Sequence, residues 1–229
     1  MRASVVGARL RAEDDHLPKA LPRIELRHGE ALWVLSRLGF QGAATKSTFY
    51  EYIKSLRKLG TPFEPGEIGR GRRSLANYSY RHLMELALAL TLRVYHVVPD
   101  SILVGIIRCR RTLYRHYGRA YADRCSGLGA PISVKLPGHS AITVRGVFLD
   151  LRINFSGGTL TTFGPPQLLS PREALSAYAR MDLASRALLP INLSLLAERV
   201  VSTALRAPRV RTGPRPSKRR GSRSLSRIR

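Results

Sequence analysis

The sequence predicts an α+β chain. Apolar residues recur at helical spacing through residues 23–125, switch to a period of two over 128–165, and return to helical spacing over 170–206. Residues 1–22 mix charge with proline and read as a flexible arm, and residues 207–229, rich in Arg, Ser, Pro and Gly, read as a disordered basic tail. The expected organisation is arm, helical domain (23–125), β-hairpin-plus-helix domain (128–206) and tail.

The first expected element is a short amphipathic helix over 29–40, with Leu32, Leu35 and Leu38 three apart and Gly39 as its stop. The small-residue run 41–46 suits a tight turn. A second helix is expected to open at Ser47 or Thr48, with Glu51 completing a capping box. Phe49, Tyr52, Ile53, Leu56 and Leu59 would form its apolar face. Lys46, Tyr50, Lys54, Arg57 and Lys58 would form a basic and aromatic outer face, and Gly60 and Pro62 would end the helix.

Residues 61–78 break helix with prolines and glycines, while Phe63, Ile68, Leu75 and Tyr78 can anchor short strands. This pattern predicts a two-stranded wing with Arg70, Arg72 and Arg73 near its tip. Arginine suits phosphate because its fork donates several hydrogen bonds at once. Ser79 is the expected cap of a helix carrying Leu83, Leu86, Ala87, Leu90 and Val94. After Pro99, with Asp100 or Ser101 as cap, a helix of about 24 residues is expected, twice the usual length. Its apolar side would hold Ile102, Ile106, Leu113, Tyr117 and Tyr121, either as a dimer surface or packed on its own domain.

Charge narrows the partner class. The 229 residues carry 39 Lys+Arg against 15 Asp+Glu, a formal charge of +24. Residues 206–229 hold ten of those bases and none of the acids, so the remainder is still net +14. Such a charge opposes folding by self-repulsion and points to a polyanionic partner. Nucleic acid ranks above an anionic membrane or an acidic protein, because a phosphate backbone rewards many separate cations through counterion release. Cys109 and Cys125 are expected as free thiols in a reducing compartment, and neither a signal peptide nor a membrane span is expected.

Leu35-Ser36-Arg37-Leu38-Gly39-Phe40, then Ser47-Thr48-Phe49-Tyr50-Glu51, the arginine-bearing wing, and Tyr78-Ser79 with Leu83 follow one another in order. In this order residues 28–124 resemble the MerR-like winged helix-turn-helix family. The resemblance implies a homodimer that binds double-stranded DNA, with a recognition helix in the major groove and a wing on the backbone. Leu75-Ala76-Asn77 stands where the family carries an arginine before the wing's closing tyrosine, and the cysteines of its metal-sensing branch have no counterparts here.

Over 132–136 and at Ile142 and Val144 the sequence alternates. Residues 147–155 are the clearest strand, with Val147, Leu149, Leu151, Ile153 and Phe155 on one side and Phe148, Asp150, Arg152 and Asn154 on the other. Two hairpins forming one small antiparallel sheet with one wet face are expected. Ser170, Pro171 and Glu173 mark a helix start, and that helix is expected to reach Leu188 before Pro190 breaks it. Leu193, Leu196, Ala197, Val200 and Ala204 form a last stripe. Asp150, Glu173, Asp182 and Glu198 are far apart, His139 stands alone, and neither a nucleophile motif nor a phosphate loop is present, so no enzyme and no cofactor are expected.

The expected function is sequence-specific DNA binding by a dimeric transcriptional regulator in the cytoplasm, associated with the nucleoid. Lys46, Ser47, Thr48 and Tyr50 would meet base edges, while Lys54, Arg57, Arg70, Arg72, Arg73 and Arg81 would meet phosphates. An excisionase-type or architectural DNA binder is the first alternative and an RNA-binding or ribosome-associated protein the second. Residues 128–206 would serve assembly, other proteins or a ligand.

Overall fold

The computed structural model describes residues 21–63, 77–95, 98–126, 131–135, 140–156, 159–179 and 186–209. Among them are seven α-helices and two antiparallel sheets, a mixed α+β architecture. The expected arm up to residue 20, the wing segment 64–76 with Arg70, Arg72 and Arg73, the tail from 210, His139 and Asp182 lie outside the described residues.

Helix α1 (His28–Arg37) opens where Glu30 turns back to accept the Arg27 backbone N–H at 2.8 Å. Ala31, Val34 and Leu35 face the core. The turn that follows is held by side chains: Ser36 Oγ donates to Gln41 Oε1 at 2.7 Å, and Gln41 Nε2 donates to the Ala44 carbonyl at 2.9 Å.

Helix α2 (Lys46–Lys58) starts earlier than the sequence implied. Thr45 is its cap, with Oγ1 accepting the Thr48 N–H at 3.2 Å, so Ser47 and Thr48 lie inside the first turn. Glu51 does not close a capping box and pairs with Lys54 at 3.1 Å. Phe49, Ile53 and Leu56 are buried, but Tyr52 stands 36% exposed at the edge of that face. Gly60 ends the helix at φ +93°, a conformation that costs an L side chain about 1–2 kcal/mol.

Helix α3 (Tyr80–Leu90) is capped by Ser79, as expected, and is buried nearly all round, from Leu83 through Leu90 without interruption. Such a helix belongs at the centre of a core. A π turn (Thr91–Tyr95) follows, with Thr91 Oγ1 donating back to the Ala87 carbonyl. The extra residue per turn rotates the chain out of phase. Val94, expected on the apolar stripe, is therefore 40% exposed.

The single long helix expected after Pro99 is two helices, α4 (Asp100–Arg108) and α5 (Arg110–Ser126), and neither Asp100 nor Ser101 is the cap. The turn tightens at Cys109, whose N–H is shared between the carbonyls of Gly105 and Ile106. Leu113, Tyr117 and Ala120 of α5 are buried against α3 and α7 (Leu193–Ala204) of the same chain. The apolar face offered as a dimer surface is thus occupied within the chain.

Strands β1 (Ile132–Val134) and β2 (Ile142–Val144) form one hairpin. In the larger sheet β3 (Phe148–Ser156) is central. One of its edges carries β4 (Thr159–Phe163) and β5 (Gln167–Leu169), and the other carries β6 (Arg186–Asn192). Both expected hairpins are present but lie in two separate sheets and not in the single sheet expected, and β5 and β6 were not anticipated. Helix α6 (Pro171–Ala179) begins with the expected box, Ser170 N–H to Glu173 Oε2 at 2.8 Å, yet it stops well short of Leu188. Residues 186–192 are strand because β3 offers them a seven-residue ladder, and Pro190 fits an edge strand that needs no outward N–H. Asp150, assigned to the wet face, is 1% exposed.

Helix α7 follows β6 directly, capped by Asn192, and buries Leu193, Ala197, Val200 and Ala204 against α1, α3 and α5. One core therefore runs across the boundary between the segments 23–125 and 128–206. No helix of the described residues is long and apolar enough to cross a membrane.

Candidate nucleic-acid interface

The α1–turn–α2 segment places α2 with one face in the core and the other in solvent. Lys46, Ser47, Thr48 and Tyr50, the four candidate base-reading residues, are all exposed in its first turns. They are not on one line. Thr48 lies two residues before Tyr50, about 160° round the helix. Ser47 Oγ and Thr48 Oγ1 each lie 2.9 Å from Thr45 Oγ1, so both hydroxyls belong to the cap network. Lys46, Tyr50, Lys54 and Arg57 share the arc next to the core face, with Ser47 and Lys58 further round toward solvent. No acidic residue occupies the first turn, so the positive end of the helix dipole adds to the lysine charge.

Tyr50 is held from behind. Its ring meets His28 edge-on at 5.6 Å, and His28 Nδ1 lies 2.8 Å from the Tyr78 hydroxyl. Tyr78 in turn packs on Phe63 at 4.9 Å, and Phe63 on His82 at 4.8 Å. The chain on either side of the undescribed residues 64–76 is thus locked to α1 and α2. Tyr78 also exchanges backbone hydrogen bonds with Leu26, a bridge to the strand-like entry of α1. Burial pushes the Tyr78 hydroxyl up to about 12, and burial followed by the Arg57 charge lowers His28. His28 Nδ1 and the Tyr78 hydroxyl share this hydrogen bond, with the donor set by the His28 tautomer.

The candidate phosphate contacts divide. Lys54 is exposed but paired with Glu51, a surface contact worth roughly 0.3–0.5 kcal/mol that a phosphate can displace. Arg57 is partly buried with its guanidinium 5.9 Å from the Phe63 ring centre. Arg81 is exposed and stacks at 5.3 Å over Tyr114. Arg70, Arg72 and Arg73 are outside the described residues.

Sequence reasoning missed a second support on the other side of α2. Arg93 stacks on Tyr52 at 5.2 Å, donates to Ser55 Oγ and lies 3.5 Å from Asp100. It also missed the anchor at the helix end, where buried Arg110 donates to the Gly60 carbonyl at 2.6 Å and to both oxygens of Glu85. A signal for that anchor exists. Arg110 falls in phase with Ile106, Leu113 and Tyr117, and Glu85 is the lone acid of its helix, inside the apolar run from Leu83 to Leu90.

Among the described residues no group of three or more His, Cys, Asp or Glu is arranged to hold a metal. A cleft of about 220 Å³ lies where α7 meets the α1–α2 turn, lined by Leu38, Phe40, Ile191, Leu196 and Arg199 among others. No family model, curated protein or solved structure matches this chain.

Proposed function

We propose that the chain is a sequence-specific double-stranded DNA-binding protein of the winged helix-turn-helix type, acting as a transcriptional regulator and not as an enzyme. One observation supports this above the rest. A basic helix, α2, exposes Lys46, Ser47 and Tyr50 while Phe49, Ile53 and Leu56 pin its opposite face to the core. Rigid presentation of a helix face is what major-groove reading needs. The net charge of +24 supplies sequence-independent attraction to phosphate. On this reading Lys46, Ser47, Thr48 and Tyr50 meet bases, and Lys54, Arg57, Arg70, Arg72, Arg73 and Arg81 meet phosphates. The likeness to the MerR-like family adds a homodimer, whose contact must use a surface other than the covered face of α5.

The experiment is selection from a randomised duplex pool with the full chain and with Lys46→Ala/Tyr50→Ala. The expected result is an enriched motif for the parent and a changed or lost motif for the variant. An identical motif would overturn the base-reading role of α2. Sedimentation equilibrium of the full chain checks the dimer, with a monomer at micromolar concentration as the contrary result.

A further inference from the structure

Arg108, Arg111 and Arg115 stand three and four residues apart across the α4–α5 junction, and all three are exposed. By helical phase they lie opposite Ile106, Leu113 and Tyr117, which are 2%, 1% and 0% exposed. No ion pair, hydrogen bond or ring contact engages them among the described residues, whereas Lys54, Arg93 and Arg110 each meet a carboxylate. Arg111 and Arg115, four residues apart on α5, lie about 6 Å from each other along its axis, and Arg108 closes α4 just before the turn at Cys109. Three guanidinium groups at that spacing repel one another, and a partner that supplies negative charge in a row would relieve that repulsion.

The stripe also starts beside the end of α2. The Gly60 carbonyl accepts from Arg110, and Gly60 lies against Ile107, so the end of α2 with exposed Lys58 abuts the α4–α5 junction. Arg81 stacks on Tyr114 of α5. The contacts of Gly60 with Arg110 and Ile107 thus bring the end of α2, with its exposed Lys58, against the junction that carries Arg108 and Arg111.

We infer that Arg108, Arg111 and Arg115 form a second phosphate-binding surface that follows the DNA backbone beside the bases met by α2. The inference rests on the duplex-binding reading above. Neighbouring phosphates of one strand lie about 3.4 Å apart along the duplex axis and further apart along the backbone itself, so three arginines at this spacing meet two to three of them. Arginine on a rigid helix suits this, since each fork can grip a phosphate without reading a base.

The test uses the full chain with Arg108→Ala/Arg111→Ala/Arg115→Ala, and the same three positions changed to Lys. Duplex affinity is measured across a salt series, with a hydroxyl-radical footprint and a thermal melt as a check of folding. The alanine triple is expected to lower the slope of log K against log salt by about 2–3, at roughly 0.9 per lost phosphate. The footprint should shorten on one side while the selected motif stays the same, and the lysine triple should recover most of the slope. An unchanged slope and footprint in the alanine triple, with a duplex-binding parent, overturns the inference. So does a loss confined to structured RNA, which would give the stripe a different partner. If the stripe variant loses slope while Lys46→Ala/Tyr50→Ala leaves the motif unchanged, the stripe stands and the reading of α2 falls.

Discussion

Arg110 forks onto Glu85, with Nε and Nη2 2.9 and 2.6 Å from the two carboxylate oxygens, and both residues are almost wholly buried. The same Nη2 reaches the Gly60 carbonyl, so one guanidinium joins α5, α3 and the end of α2. This pair fixes where α2 stops and how it meets the core.

Arg110→Met should therefore destabilise the chain by about 3–5 kcal/mol, because Glu85 keeps its charge in an apolar interior. The double change Arg110→Met/Glu85→Leu should be milder than the single, since no buried charge is left. Urea unfolding of the three proteins decides it, and a double variant worse than Arg110→Met would contradict the pairing.

Gly146 has φ +94°, and a Cβ there would lie 2.7 Å from the Ser194 Cβ. Ser194 cannot yield, because its hydroxyl donates to Asp123 at 2.6 Å and accepts the Val147 N–H at 2.9 Å. Gly146→Ala should cost about 1–3 kcal/mol from backbone strain, with steric overlap adding to it. A denaturation midpoint equal to the parent's would show that the approach of β3 to α7 is looser than these distances imply.

Removing residues 128–206 should unfold the remainder and not leave an independently folded half. Helix α7 covers α1, α3 and α5, and Leu193, Ala197 and Val200 are fully buried there. Even Leu193→Ala alone should cost about 2–5 kcal/mol. A cooperative thermal transition in the truncated chain at the parent's temperature would refute the shared core.

Acid should weaken the fold in a defined window. Burial lowers His28, with Arg57 adding to it. Burial also lowers His116, helped by Arg115 and Arg119 and opposed by its hydrogen bond to the Pro166 carbonyl. Around the ordinary value of 6.5 the unfolded chain then binds more protons than the folded one. This part of the stability is complete above that pH and is lost as the pH falls toward the folded-state values. Denaturant midpoints between about pH 7.5 and 5.5 should fall for the parent and fall less for His28→Asn/His116→Gln. Equal slopes would exclude these two groups.

The sequence by itself determined the short-range devices. Ser79 and Ser170 cap as their spacing indicates, Gly60 stops α2, and the stripe from Leu193 to Ala204 is the buried face of α7. These are legible because each depends on neighbours three or four residues away. The exposed face of α2 with Lys46, Tyr50 and Lys54 was readable for the same reason. The tertiary structure decided what depends on distant partners. Residues 186–192 are apolar enough for helix or strand, and only the β3 ladder makes them strand. Val94 left its stripe through a π turn that no local residue announces, and the helix after Pro99 divides at Cys109, beside the residue that turns inward to meet Glu85. Likewise Tyr50 became a supported ring because His28 and Tyr78, fifty residues apart, meet behind it at 2.8 Å. Periodicity records which side of an element is apolar, and only the packed chain sets what that side is packed against.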